Sequence, residues 1–244
     1  MKCISFVIPL YNAAASVREL TARILTLPIP EKIEIVYVDD GSTDTTDAIV
    51  RSLAASDKRI KYVTLTRNYG QHNAILMGLR KTQGDAVVCL DDDLQTPPEE
   101  TLLLLATMRR YKADAVYGQY ETNEDTFRRI GTRLHNLMAE VFGKPKEVTL
   151  TSFFYMKRAI AKNVSRYRGS WVYLPALVFR TTGNVRSIRV KHQSRKYGSS
   201  GYTFFRLTKL WIIGVLVYLR LADLFRSKPA AVIKDSVNLT STHH

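Results

Sequence analysis

Cysteine is scarce in this 244-residue chain, with two, Cys3 and Cys89. That count excludes a disulfide scaffold; both lie in apolar runs of strand character, where free cysteine acts as a small core hydrophobe and points to a reducing compartment. Glycine (12) and proline (8) are too few for a collagen-like or low-complexity chain. Long apolar runs are missing too. The longest, 210–219, falls short of the roughly 20 residues needed to span a bilayer as a helix. Met1-Lys2 leads straight into an apolar strand-like run with no secretion-signal pattern, so the expected compartment is the cytoplasm. The most informative absence is acid: no Asp or Glu occurs between Val148 and Ala222.

What is present divides unevenly. Residues 1–120 hold 14 Lys and Arg against 15 Asp and Glu, whereas residues 121–244 hold 22 against 7, a net +15. Such asymmetry directs the second half alone toward a polyanionic surface, an anionic membrane or nucleic acid. With 45% hydrophobic residues the chain has material for a sizeable core.

Short β-branched runs alternate with amphipathic segments as far as residue 118. Strands are expected at 5–8, 33–38, 62–65, 86–90 and 113–117, and helices near 15–26, 44–55, 71–82 and 98–111. Repeated β-α-β units with almost wholly apolar strands predict an α/β fold, a mostly parallel sheet covered by helices on both faces. Beyond 120 the pattern predicts a helix near 125–142, a strand-helix around 150–165, an alternating strand at 185–190 and an apolar helix over 203–225. That last segment, punctuated by Arg206, Lys209, Arg220 and Arg226, suits an anionic bilayer surface or an oligomer interface.

In a parallel sheet, ligands sit beyond the carboxyl ends of the strands. Those ends read Pro9-Leu10-Tyr11-Asn12, Asp39-Asp40-Gly41-Ser42-Thr43-Asp44, Arg67-Asn68-Tyr69-Gly70-Gln71 and Asp91-Asp92-Asp93-Leu94-Gln95. Three adjacent carboxylates closing a buried strand repel one another and call for a compensating cation. Asp91 and Asp93, being alternate residues of an extended chain, project to one side, and Gln95 adds a neutral oxygen; the set suits Mg²⁺ or Mn²⁺ completed by diphosphate and water.

These four segments, in this order, resemble the signatures of family 2 glycosyltransferases with the GT-A fold. Arg195-Lys196-Tyr197-Gly198-Ser199-Ser200-Gly201 resembles an Arg-x-x-Gly-x-Ser element of the branch that acts on polyprenyl phosphates. The resemblance implies a nucleotide-sugar site lined by Pro9, Tyr11, Asn12, Asp40, Asn68, Gln71, Asp91 and Asp92, with Asp91, Asp93 and Gln95 on the metal and Asp93 catalytic. It further implies inverting transfer to a polyprenyl phosphate at the inner face of the cell membrane. A phosphate acceptor needs no general base, only cations, which Arg128, Arg129, Arg133 and Arg195, with Ser200, would supply, Arg128, Arg129 and Arg195 being catalytic. The implied layout is a catalytic domain over 1–202, donor half 1–120 and acceptor half 121–202, followed by a membrane-associated tail over 203–244.

Two departures stand against the polyprenyl-phosphate branch: Gly118-Gln119-Tyr120 replaces its Gly-x-Arg, and Ala13 replaces an acid. Leu150-Thr151-Ser152-Phe153-Phe154 resembles instead enzymes that elongate lipid-linked sugars in O-antigen or capsule assembly, for which Glu124 or Asp125 would be the base. A nucleic-acid-binding module leaves the carboxylate triad unexplained, so nucleic acid is not an expected partner. A nucleotidyltransferase, which also uses paired acids and metal, is the remaining enzymatic rival.

Overall fold

The computed structural model describes residues 1–120, 147–169, 171–193 and 231–239, together with 212, 213, 216, 217, 219 and 221. Eight described strands form one mixed sheet in the order β7-β5-β6-β4-β1-β2-β3-β8. They are β1 (Cys3–Leu10), β2 (Lys32–Asp39), β3 (Ile60–Leu65), β4 (Ala86–Cys89), β5 (Ala115–Tyr120), β6 (Phe154–Lys157), β7 (Val185–Val190) and β8 (Ile233–Val237). β4, β1, β2 and β3 run parallel, with Leu10 opposite Asp39 and Val7 opposite Cys89, while β6 lies antiparallel between β4 and β5.

The continuous apolar strands are buried on both faces because successive side chains point to opposite sides. Ile4, Phe6, Ile8 and Leu10 of β1 pack toward α1 (Val17–Leu25), α2 (Thr46–Ser56) and α4 (Thr101–Tyr111). Val7, with Val36 and Val38 of β2, packs toward α3 (Gln71–Leu79), α5 (Arg158–Ser165) and α6 (Leu174–Phe179). Gly78 lets α3 lie close against this face: a Cβ there would come within 2.5 Å of Val7 Cγ1. That close seating sets where the first turn of α3 meets the strand ends.

The expected α/β architecture is the one observed, with helix ends within a few residues of those read from the sequence. The strand-helix near 150–165 is β6 and α5, and the strand at 185–190 is β7. The segment 233–237, read as tail, instead pairs antiparallel with β3 as an edge strand, and α6 was not anticipated. The helices expected near 125–142 and across most of 203–225 lie outside the described residues.

Candidate active site at the strand ends

The loops after β1 and β2 are clipped together before any ligand is considered. Asp40 N–H donates to Leu10 O at 2.9 Å, Asn12 N–H to Ser42 Oγ at 2.9 Å, and Thr43 N–H to Asn12 Oδ1 at 2.9 Å. Asn12 takes φ +55°, a left-handed conformation that asparagine tolerates. Gly41, at φ +78°, has no such substitute, since a Cβ would stand 2.8 Å from Arg67 C and 2.9 Å from Asn68 N. Pro9 is buried within β1 opposite Val38, so among these residues it is Tyr11, 51% exposed, and Asn12 that face outward.

The two aspartates ending β2 do different work. Asp39 Oδ1 accepts from Ser42 N–H at 2.8 Å, and its Oδ2 lies 2.9 Å from the Tyr62 hydroxyl. That hydroxyl also lies 2.9 Å from Asp47 Oδ1, so one proton serves two carboxylates. Asp40, 3% exposed, accepts Tyr69 N–H on Oδ1 and Gly70 N–H on Oδ2, both at 2.7 Å. Burial pushes its carboxyl up to about 6, against the pull of those two donors and with the charge of Asp39 adding to the rise. Asp40 thereby fixes the loop that carries Asn68, whose Oδ1 accepts Gly70 N–H at 3.1 Å, and Arg67, whose guanidinium lies 5.0 Å over the Tyr69 ring.

The end of β4 gathers the acids. Gln71, first residue of α3, donates through Nε2 to Asp91 Oδ1 at 2.6 Å, and the Ser152 hydroxyl donates to Asp91 Oδ2. Asp92 turns back under the β1 loop, its Oδ2 accepting Tyr11 N–H at 3.3 Å. Burial first, then repulsion from Asp91 and Asp93, pushes Asp92 up to about 7. Asp93 Oδ1 caps the next turn by accepting Gln95 N–H at 3.1 Å. From the other side the end of β7 closes in: Gln193 N–H donates to Gln95 O at 2.8 Å and Gln95 Nε2 to Gln193 O at 3.1 Å. His192 stacks on Tyr120 with ring centroids 4.0 Å apart, and its Nδ1 lies 3.2 Å from Thr96 Oγ1.

A sequence profile of glycosyl transferase family 2 matches residues 5–174, most of the chain and all four of these strand ends. The chain belongs to that family. It is 34% identical over 216 residues to the undecaprenyl-phosphate 4-deoxy-4-formamido-L-arabinose transferase of Pseudomonas fluorescens (strain SBW25), covering 85% of this chain and 62% of that protein. The enzyme of the same description from Salmonella choleraesuis (strain SC-B67) is 33% identical over 219 residues, covering 86% and 65%. The chain thus spans a little under two thirds of the length of these curated relatives. Among solved structures, Mycobacterium tuberculosis glucosyl-3-phosphoglycerate synthase in complex with Mn²⁺, UDP and phosphoglyceric acid shares the fold. Its TM-score is 0.66 at 19% identity, over 89% of this chain and 78% of that one. S. aureus TarS 1-349 in complex with UDP-GlcNAc gives 0.58 at 19% identity, over 88% and 67%.

Within this glycosyl transferase family 2 chain, the structure brings together Tyr11, Asn12, Asp40, Asn68, Gln71, Asp91, Asp92, Asp93 and Gln95 at one end of the sheet, with Pro9 just beneath. Arg128, Arg129, Arg133, Arg195 and Ser200 lie outside the described residues. Sequence reasoning missed Ser152 and His192 as site residues and saw Tyr120 merely as a departure from a pattern. Ser152 and Tyr120 lie in segments compared with family patterns, but nothing local places either of them, or His192, beside Asp91, because β5, β6 and β7 converge on the end of β4 through sheet order and not through spacing in the chain.

Proposed function

We propose that this protein transfers a sugar, with inversion, from a nucleotide-sugar to a polyprenyl phosphate at an anionic membrane surface on the cytoplasmic side. The observation that carries the reading is the acid-rich end of β4, seated against α3 and β7 in a family 2 chain. Three adjacent carboxylates lie there, and the charges of Asp91 and Asp93 add to the burial that pushes Asp92 up to about 7, so the site has a deficit of positive charge that a divalent ion would offset. Among the described residues no three of His, Cys, Asp and Glu form a protein cage for an ion. Two carboxylates and an amide, completed by diphosphate and water, are the kind of set that suits Mg²⁺ or Mn²⁺ held jointly with a substrate. Asp91, Asp93 and Gln95 are the residues that would hold it; the Mn²⁺ and UDP of a solved neighbour with this fold support a divalent ion beside a nucleotide. When bound, the ion neutralises charge developing on the departing nucleoside diphosphate.

The chain's own residues position everything else. Asn12 and Asp40 hold the β1, β2 and β3 loops in one arrangement, against which Tyr11 and Asn68 present outward faces to the nucleotide. An acceptor phosphate is ionised at pH 7, so its oxygen attacks the anomeric carbon without a general base. The basic, acid-free stretch, with Arg128, Arg129, Arg133, Arg195 and Ser200, supplies the cations and hydroxyl that orient it. The names of the relatives support an undecaprenyl phosphate acceptor.

The test is incubation with UDP-, GDP- and dTDP-sugars plus undecaprenyl phosphate and Mg²⁺ or Mn²⁺, reading which nucleoside diphosphate is released. Asp93→Ala is expected to lower turnover by at least about 100-fold, the order of loss seen when a charge-stabilising group is removed, with an unchanged unfolding curve. Turnover near the wild-type rate in that variant refutes the assignment of Asp93.

A further inference from the structure

We infer that Tyr120 is a positioning residue for Asp91, acting through Ser152, with the His192 ring holding Tyr120 in place. The inference rests on the proposed reading of Asp91 as a ligand of the divalent ion.

The direction of the hydrogen bonds settles what each group does. Ser152 has a single hydroxyl proton, and it goes to Asp91 Oδ2. With its proton directed to Asp91, the Ser152 oxygen can only accept from the Tyr120 hydroxyl, 3.1 Å away, so Tyr120 is the donor in that bond, with Thr96 the other side chain within reach of the hydroxyl. Burial, and after it the charge of Asp91, raises the Tyr120 hydroxyl well above its ordinary value, which keeps that proton in place. The outcome is a one-way chain, Tyr120 to Ser152 to Asp91, ending on one carboxylate oxygen while Gln71 Nε2 holds the other at 2.6 Å.

Two features keep the donors aimed. Thr151 Oγ1 donates to Gly118 O at 2.7 Å, fixing the strand entry that carries Ser152 against β5, the strand of Tyr120. The His192 ring lies nearly parallel to that of Tyr120, 19° between planes, and Thr96 Oγ1 lies 3.2 Å from its Nδ1. Residues from β5, the entry to β6 and the end of β7 thus converge on the orientation of one carboxylate. Groups that hydrogen-bond metal-binding carboxylates fix their geometry, and their loss typically costs about 10- to 100-fold in metal affinity or activity.

The experiment titrates the full chain with Mn²⁺ in the presence of UDP and, separately, GDP, following loss of the free-ion signal by electron paramagnetic resonance. Tyr120→Phe keeps the ring and its stack but removes the donor; Ser152→Ala removes the relay. Each is expected to weaken Mn²⁺ binding about 10-fold. The double variant is expected to lose little more than either single one, because both act through one chain of bonds. Ser152→Thr, which keeps the hydroxyl, is expected to bind Mn²⁺ within about twofold of wild type and carries the test if Tyr120→Phe fails to fold. Wild-type affinity in Tyr120→Phe and Ser152→Ala, additive losses in the double variant, or an equal loss in Ser152→Thr each overturns the inference and leaves the metal reading standing. A wild-type chain that takes up no Mn²⁺ with either nucleotide overturns both.

Discussion

At the scale of single residues, the site shows one side chain type in three roles. Asp91 is held by two neutral donors, Asp92 ties down the loop after β1, and Asp40 clamps two backbone N–H groups. Asp40 carries a stability consequence with a definite sign. Its carboxyl is pushed up to about 6 in the folded chain, above the ordinary 3.8, so the native state holds this proton more tightly than the unfolded chain does. The resulting stabilisation is full below about pH 4 and is lost as pH rises through about 6. Asp40→Asn cannot ionise, so the melting temperature of the variant relative to wild type should climb between about pH 4 and 6 and level off above that. Parallel thermal scans across that range decide it; a flat or falling difference refutes the burial-driven rise.

At the scale of elements, the sheet separates chemistry from anchorage. Near the N-terminal ends of β1 to β3, opposite the active end, Lys61 and Glu34 form a buried pair at 2.5 Å. Glu34 is also bonded by the Ser5 hydroxyl and by Gln83 N–H at 2.9 Å. Removing one member of a buried pair leaves an uncompensated charge, which costs about 3–5 kcal/mol, whereas replacing both by apolar residues is often neutral or better. Lys61→Met is therefore expected to lower stability by about 3 kcal/mol, and Lys61→Met with Glu34→Leu to recover part of it, the Ser5 hydroxyl and Gln83 N–H losing their acceptor, without altering nucleotide binding. Denaturant titration of the two variants checks this, and equal losses in both refute it. The elements also show what the sequence made legible. β1 to β4 and their helices were readable because apolar strands and 3.6-residue periods are local signals. β8 was not, since Ile233–Val237 is mostly exposed and owes its strand form to pairing with β3 across the chain. The same distinction holds at the site: Asp91 and Gln95 lie in one short motif, whereas Tyr120, Ser152 and His192 become neighbours through sheet order alone.

At the scale of the whole molecule, the uneven charge is the feature that the fold leaves unspent. Residues 1–120 are nearly neutral and contain the acids of the site, while residues 121–244 carry net +15. No helix among the described residues is long and apolar enough to cross a membrane. Ile212, Leu219 and Leu221 are nonetheless exposed at 48%, 55% and 40%, whereas Val217 between them is buried against the core and its carbonyl accepts Arg180 Nη1 at 2.9 Å. A half of the chain with net +15 that also carries outward apolar residues suits an anionic bilayer, where each Lys or Arg near the surface contributes about 1 kcal/mol within a Debye length. That length shrinks from about 10 Å at 0.1 M salt to about 3 Å at 1 M, so an electrostatic attachment must weaken steeply with salt. Co-sedimentation with vesicles of phosphatidylcholine containing phosphatidylglycerol is expected to retain the protein at 0.1 M salt, with partitioning at least about 10-fold lower at 1 M. Pure phosphatidylcholine vesicles should retain far less at either salt. Retention that ignores both salt and lipid charge would assign the attachment to the apolar residues alone, and the absence of retention on anionic vesicles would remove the membrane from the proposed function.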